Sequence, residues 1–293
     1  MMNTAVKFEK KNLLASGHRA CGGCGQALAC RMVLDAAGEN TIACVATGCL
    51  EVFSGPYPDP SWKIPFLHSL FENSAAVASG VEIAYRALKK APVNVLAMGG
   101  DGSTADIGFQ CISGMFERGH NVLYVCYDNE AYMNTGVQRS SFTPFGAKTT
   151  TTPAGNRLQK KDLPLLAVNH GVPYVATATV DDYHDLQEKV KTALSIEGPK
   201  YLHIFAPCPL GWGHAGEMTI SISRLAKETC LFPVYEIKNG KLASVLKIPI
   251  KKPVEEYLKV QARFRHLFKK GVPATQVALI QEIANQNIER FNL

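Results

Sequence analysis

Long apolar runs are missing: no stretch of this 293-residue sequence approaches the roughly 18 consecutive apolar residues that a membrane-spanning helix needs. The opening residues 1–20 are charged and mixed, without the apolar centre of a secretion signal. No internal repeat or low-complexity linker interrupts the chain. Strong charge of one sign is also lacking. Lys and Arg total 31 against 25 Asp and Glu, a formal net charge of +6. The basic residues are scattered, apart from Lys10–Lys11, Lys160–Lys161 and Lys251–Lys252. Neither nucleic acid nor a membrane is therefore an expected partner, whereas a mildly basic surface suits an acidic protein. There is no Gly-x-x-x-x-Gly-Lys-Ser/Thr loop, and Gly99-Gly100-Asp101-Gly102-Ser103 lacks the Gly-x-Gly-x-x-Gly spacing of a nucleotide fold. Nine cysteines without an export signal argue against a disulfide scaffold. They point to a reducing, cytoplasmic setting in which some thiols bind metal.

What is present is a soluble globular composition, 46% hydrophobic and 19% charged. Short apolar runs alternate with helical stretches. Residues 41–47, 93–98, 121–127, 174–178 and 200–206 read as strands, and 73–90, 104–118 and 180–195 as helices. Strands spaced by helices imply an α/β fold, a doubly wound and mostly parallel sheet. After a strand-like segment, 232–250, residues 253–268 and 273–291 read as amphipathic helices, each opening with a proline. The expected organisation is a cofactor-binding domain over 1–230 and a C-terminal helical extension over 231–293. That extension packs on the core or on a partner subunit.

The unusual residues fall just past strand ends. Thr47-Gly48-Cys49, Gly100-Asp101-Gly102, Asp128-Asn129 and Pro207-Cys208-Pro209 each follow one strand. In a doubly wound sheet those carboxyl ends open onto a single crevice where ligands bind. Glycines between a strand and a helix let the backbone approach an anion, and free N–H groups at the helix start receive it. A diphosphate also needs a cation. Mg²⁺ takes oxygen ligands, one or two from protein, and Asp101 offers a carboxylate. Asn129 lies one strand–helix–strand unit further on and offers an amide oxygen. Gly-Asp-Gly followed at that distance by Asn resembles the thiamine-diphosphate signature.

Cys21-Gly22-Gly23-Cys24 places two thiols on one loop, and Cys49 and Cys208 stand at strand ends. Spacing alone fits a Cys₄ iron–sulfur cluster and a structural zinc equally well. Cys49 shares the crevice edge with Asp101 and Asn129, and beside a thiamine cofactor an electron acceptor has a use that zinc lacks. The remaining Cys30, Cys44, Cys111, Cys126 and Cys230 sit mostly inside expected elements and read as small buried apolar residues.

Both motifs, in this order, resemble the β subunits of pyruvate:ferredoxin oxidoreductases. Further matching segments are residues 17–25, Leu50-Glu51, Pro56-Tyr57-Pro58, Trp62-Lys63, Phe71-Glu72-Asn73, Asp106-Ile107-Gly108, 128–138, 143–147 and 253–258. By that resemblance Cys21, Cys24, Cys49 and Cys208 ligate a [4Fe–4S] cluster. Asp101, Asn129 and the Ala131 carbonyl hold Mg²⁺. Gly48, Cys49, Gly100, Gly102, Ser103 and Thr104 line the thiamine diphosphate, and Asn134 points its amide at the reacting carbon. The chemistry implied is oxidative decarboxylation of pyruvate, with the acetyl group passing to coenzyme A and electrons to ferredoxin, or the reverse synthesis. The sequence departs from some relatives in carrying Asn129 rather than Thr and Gln26 rather than Glu. It also lacks a Cys-x-x-Cys-x-x-Cys-x-x-x-Cys-Pro run, the electron-exit module. In this family another subunit supplies the glutamate that the aminopyrimidine ring needs. The chain is therefore expected to work with α-, γ- and δ-type subunits.

His18, His68, His170, His203 and His214 read as structural, as do Trp62 and Trp212, although Trp212 lies near Cys208. The polar run 148–152 reads as a solvated loop, with a partner- or coenzyme-A-facing loop as the functional counterpart. Rival readings are the same chemistry on another 2-oxoacid, a non-redox thiamine decarboxylase with structural zinc, and an electron-transfer module with a vestigial thiamine pocket.

Overall fold

The computed structural model describes residues 11–271 and 273–293; the first ten positions of the opening segment, Lys10 among them, lie outside these. Eight strands form one sheet: β1 (Thr41–Ala46), β2 (Phe66–Ser69), β3 (Asn94–Gly100), β4 (Leu123–Asp128), β5 (Tyr174–Thr179), β6 (Lys200–Phe205), β7 (Tyr235–Lys238) and β8 (Lys241–Val245). Their order is β2-β1-β3-β4-β6-β5-β7-β8. β1 to β6 pair in parallel, and β7 and β8 close one edge antiparallel.

Side-chain alternation along the strands builds two cores, one on each face. Leu96, Met98, Leu123, Val125, Leu202 and Ile204 face the helices Gly25–Ala37 and Tyr183–Leu194. Val95, Ala97, Tyr124, Cys126 and Tyr201 face Ser74–Ala87, Phe109–Glu117 and Leu163–Asn169. β1, β4, β5 and β6 are buried along their whole length. That burial explains their continuous apolar character, and the doubly wound α/β expectation holds.

Several boundaries differ from expectation for local reasons. The helix expected over 104–118 is two helices, Asp101–Ala105 and Phe109–Glu117. The break lies at Asp106-Ile107-Gly108, where Asp106 turns outward to accept from Tyr132 Oη at 2.7 Å and from the Ser141 N–H at 3.2 Å. Gly108 is needed there because a Cβ would overlap the Ser103 carbonyl oxygen. The segment 232–250 is a hairpin rather than one strand, turning at Asn239-Gly240 with φ of 48° and 75°. The helix expected over 253–268 runs only Val254–Lys259, followed by a 3-10 stretch Ala262–Phe268. Gln261 interrupts it, being buried and donating to the Tyr257 carbonyl at 2.7 Å. The two prolines precede the helical residues rather than opening them, since Val254 and Thr275 come first. Helices Gly25–Ala37, Cys49–Ser54 and Leu163–Asn169 and strand β2 had no counterpart in the sequence reading.

Residues beyond 230 pack on this chain. Phe232, Tyr257, Leu258, Phe264, Ile280 and Phe291 form a third core with Phe205 and Trp212.

Candidate functional site

The carboxyl ends of β1, β3, β4 and β6 meet at one edge of the sheet. A cavity of about 270 Å³ opens there, lined by Gly48, Cys49, Gly100, Asp101, Gly102, Ser103, Asn129, Ala131 and Asn134, together with Gln26, Phe71, Tyr132 and Met133. Every residue expected at the diphosphate and metal site therefore lines one cavity except Thr104. Thr104 is fully buried, and its hydroxyl bonds the Gly100 carbonyl at 2.5 Å and Tyr124 Oη at 3.0 Å. It braces the loop from behind.

Glycine is required at two positions. Gly48 has φ 154°, in the region L side chains avoid. At Gly102 a Cβ would overlap the Tyr132 ring, so the glycine lets that ring close over the turn.

Asp101 is 2% exposed, and Ser140 Oγ donates to its Oδ2. Burial first, and the charge of Asp128 second, raise its carboxyl well above the ordinary range, against the pull of Ser140. One end of the Asn129 carboxamide stands 3.2 Å from Asp101 Oδ1 and 2.8 Å from the Ala131 carbonyl oxygen. An inward NH₂ donates to both. An inward oxygen instead stands from each of the other two at about the edge length of an octahedral Mg²⁺ shell, whose adjacent ligands at about 2.1 Å from the ion are about 3 Å apart. A buried carboxylate with a raised pKa and two neutral oxygens beside it suits such a cation.

The loop carrying Asn129 is held from outside the cavity. Asp128 is fully buried and bonds His203 Nε2 at 3.0 Å and Lys160 Nζ at 2.7 Å. Burial works to raise its carboxyl, but Lys160 and His203 outweigh burial and hold it low. Glu130, with φ 69°, pairs with Lys160 at 2.7 Å and Arg263 at 2.5 Å. None of the eight histidines lines the cavity.

The cysteines approach from one side. The Cys21–Cys24 loop closes on itself through the Cys24 N–H to Cys21 carbonyl bond at 3.1 Å. The Gly25 N–H donates to the Pro207 carbonyl at 3.1 Å, tying the loop to the strand end that carries Cys208. Thr219 Oγ1 donates to the Gly23 carbonyl at 2.6 Å on the other side. Burial pushes the Cys49 thiol up to about 12, and Cys208, Cys24, Cys21 and Asp101 all add to that through their charges. Burial likewise pushes Cys208 up to about 11 and raises Cys24. All four cysteines thus share one electrostatic neighbourhood, with Cys49 bridging it to the cavity. Among the described residues no three His, Cys, Asp or Glu side chains stand close enough to hold a single metal ion. Cys30, Cys44, Cys126 and Cys230 are buried, whereas Cys111 is partly exposed.

Trp212 ties the Cys208 strand end to the Asn129 turn. It is fully buried and donates from Nε1 to the Asn129 carbonyl at 2.7 Å. Gln26, which had no assigned role, lines the cavity with a buried Oε1 that lacks a partner. Its position two residues after Cys24 was the only sequence signal.

Residues 46–204 match the model for the thiamine pyrophosphate enzyme, C-terminal TPP binding domain. The pyruvate synthase subunit PorB of Methanosarcina barkeri is 53% identical, over 98% of this chain and 99% of its own length. The ketoisovalerate oxidoreductase subunit VorB of Pyrococcus abyssi is 44% identical, over 91% and 90%. A solved 2-oxoglutarate:ferredoxin oxidoreductase from Magnetococcus marinus superposes with a TM-score of 0.61 at 21% identity, covering 95% of this chain and 97% of that one. That likeness concerns the fold.

Proposed function

This chain belongs to the pyruvate synthase PorB family, the β subunits of 2-oxoacid:ferredoxin oxidoreductases, and from that premise we propose that its strand-end cavity binds Mg²⁺–thiamine diphosphate beside a [4Fe–4S] cluster. The observation that carries the reading is the meeting of Asp101, Asn129 and the Ala131 carbonyl in one cavity with Cys49. Asp101, Asn129 and Ala131 hold the cation through oxygen. Gly100, Gly102 and Ser103 keep the turn close enough for their backbone to meet a diphosphate, with Thr104 bracing it. Asn134 and Gln26 present amides to the cavity, where Gln26 Oε1 accepts from a bound donor.

When bound, thiamine diphosphate supplies a carbon nucleophile and an electron sink for decarboxylating a 2-oxoacid. Cys21, Cys24, Cys49 and Cys208 hold the electron acceptor. Cys49 both lines the cavity and belongs to this group of thiols, and an electron acceptor has a use beside the cofactor that zinc lacks.

The substrate is pyruvate, with coenzyme A as acyl acceptor, ferredoxin as electron partner, and α-, γ- and δ-type subunits completing the complex. The 44% identical ketoisovalerate relative makes a branched 2-oxoacid the second reading. The test is a panel of 2-oxoacids with coenzyme A and ferredoxin, run on the assembled complex and on the lone chain. Pyruvate turnover by the complex, with negligible turnover by the chain alone, is expected. A complex that turns over only branched 2-oxoacids favours the second reading. Robust activity from the lone chain overturns the multisubunit reading.

A further inference from the structure

Arg263 lies far along the sequence from the strand ends, yet it is 6% exposed and reaches the loop between Asn129 and Ala131. Its guanidinium carbon sits 3.8 Å from the centroid of the Trp212 ring. One terminal nitrogen donates to Glu130 at 2.5 Å and to Tyr257 Oη at 3.1 Å, and Nε donates to Gln261 Oε1 at 2.9 Å. Trp212 in turn donates to the Asn129 carbonyl, and its own N–H bonds the Cys208 carbonyl at 2.9 Å. Arg263 therefore bears on both sides of one short turn, through a carboxylate and through an indole.

The conformation of that turn explains why it needs holding. Glu130 adopts φ 69°, which costs about 1 kcal/mol or more for a residue with a Cβ and persists only where surroundings enforce it. This turn brings the Asn129 side chain and the Ala131 carbonyl to the same point. The Glu130 N–H donates to Asp128 Oδ1 at 3.0 Å and its carbonyl accepts from Thr143 Oγ1 at 2.8 Å, so Arg263 and Lys160 add a side-chain restraint to a turn whose backbone is already bonded. Planarity and a fixed fork of donors suit arginine to stacking on Trp212 while bonding a carboxylate, a combination lysine does not reproduce.

We infer that Arg263 is a positioning residue for the cation and diphosphate site, acting through Glu130 and Trp212, so that the C-terminal segment sets the affinity of a loop in the sheet. The inference rests on the proposed thiamine diphosphate site. Loss of an outer partner of a metal ligand typically lowers metal affinity about 10- to 100-fold, and that range is expected here.

The test measures the Mg²⁺ dependence of thiamine diphosphate binding to the assembled complex by calorimetry, alongside thermal unfolding. Arg263→Gln and Glu130→Gln should each weaken apparent affinity about 10- to 100-fold, and the double variant by less than the product of the two losses. Arg263→Lys should recover part of the loss, and it carries the comparison should Arg263→Gln fail to fold. Phe291→Ala is the control. Phe291 stacks on Tyr235 with ring centroids 4.6 Å apart, so its loss loosens the same C-terminal segment without touching Glu130. It should lower the unfolding temperature and leave affinity unchanged. Wild-type affinity in the Arg263 variants, or an equal loss in Phe291→Ala, overturns the inference alone. A wild-type complex that binds no thiamine diphosphate overturns the proposed site and the inference with it.

Discussion

Trp212 Nε1 donates to the main-chain carbonyl of Asn129 across 2.7 Å, joining the strand end that carries Cys208 to the one that carries Asn129 and Ala131. Trp212→Phe keeps an aromatic face for Arg263 and removes only the donor, leaving a buried carbonyl unpaired. That should cost about 1–3 kcal/mol, read as a lower midpoint in denaturant unfolding of the full chain. An unchanged midpoint would show that the bond contributes nothing.

Asp101 couples affinity to instability. Its folded pKa is raised by burial first and by Asp128 second. In the cation-free chain its contribution to stability is fully present below the ordinary carboxylate range near about 4. It is lost as pH rises through the elevated folded pKa. Asp101→Asn should therefore stabilise the cofactor-free chain at neutral pH by about 1–3 kcal/mol, with the gain vanishing in acid. The same variant should lose the stabilisation that Mg²⁺ and thiamine diphosphate give the wild type, about 2.7 kcal/mol at a hundredfold excess over Kd. Thermal unfolding with and without the two ligands, at neutral pH and near pH 4, checks both halves.

The thiols set a pH dependence on cluster loading. With Cys49 pushed up to about 12 and Cys208 to about 11 by burial, and Cys24 also raised, these side chains are protonated at neutral pH. Iron must displace those protons. Reconstitution of the cluster-free chain should release about three protons per cluster from these groups, and its yield should rise between pH 6.5 and 8.5. A yield flat across that range would show that deprotonation of these thiols does not limit loading.

Much of this was legible in the sequence because the signals are local. Continuous apolar runs marked β1, β3, β4, β5 and β6 within a few residues, since strands buried on both faces cannot alternate. Residues placed just past those runs were bound to meet at one edge, which is why Asp101, Asn129, Cys49 and Cys208 were found together. Helix Gly25–Ala37 has neither a side-chain cap nor an acidic residue in its first turn, so no start signal marks it, and exposed β2 carries no apolar run. Thr104 was assigned to the diphosphate by its place in the motif, but its hydroxyl turns to Gly100 and Tyr124. Which way a side chain leaves a turn is a matter of packing, not order. Arg263, Ser140 and Trp212 bond Glu130, Asp101 and Asn129 from far along the chain, and such contacts leave no spacing to read.

Four cysteines and one strand-end cavity are proposed to serve a single cofactor assembly. The most direct test is the iron and labile sulfide content of anaerobically purified chain and six variants, Cys21→Ala, Cys24→Ala, Cys49→Ala, Cys208→Ala, Cys30→Ala and Cys126→Ala. The wild type should hold about four of each per chain. The first four variants should be depleted and the last two should match the wild type. Equal iron loss across all six, or zinc in place of iron in the wild type, would contradict the account.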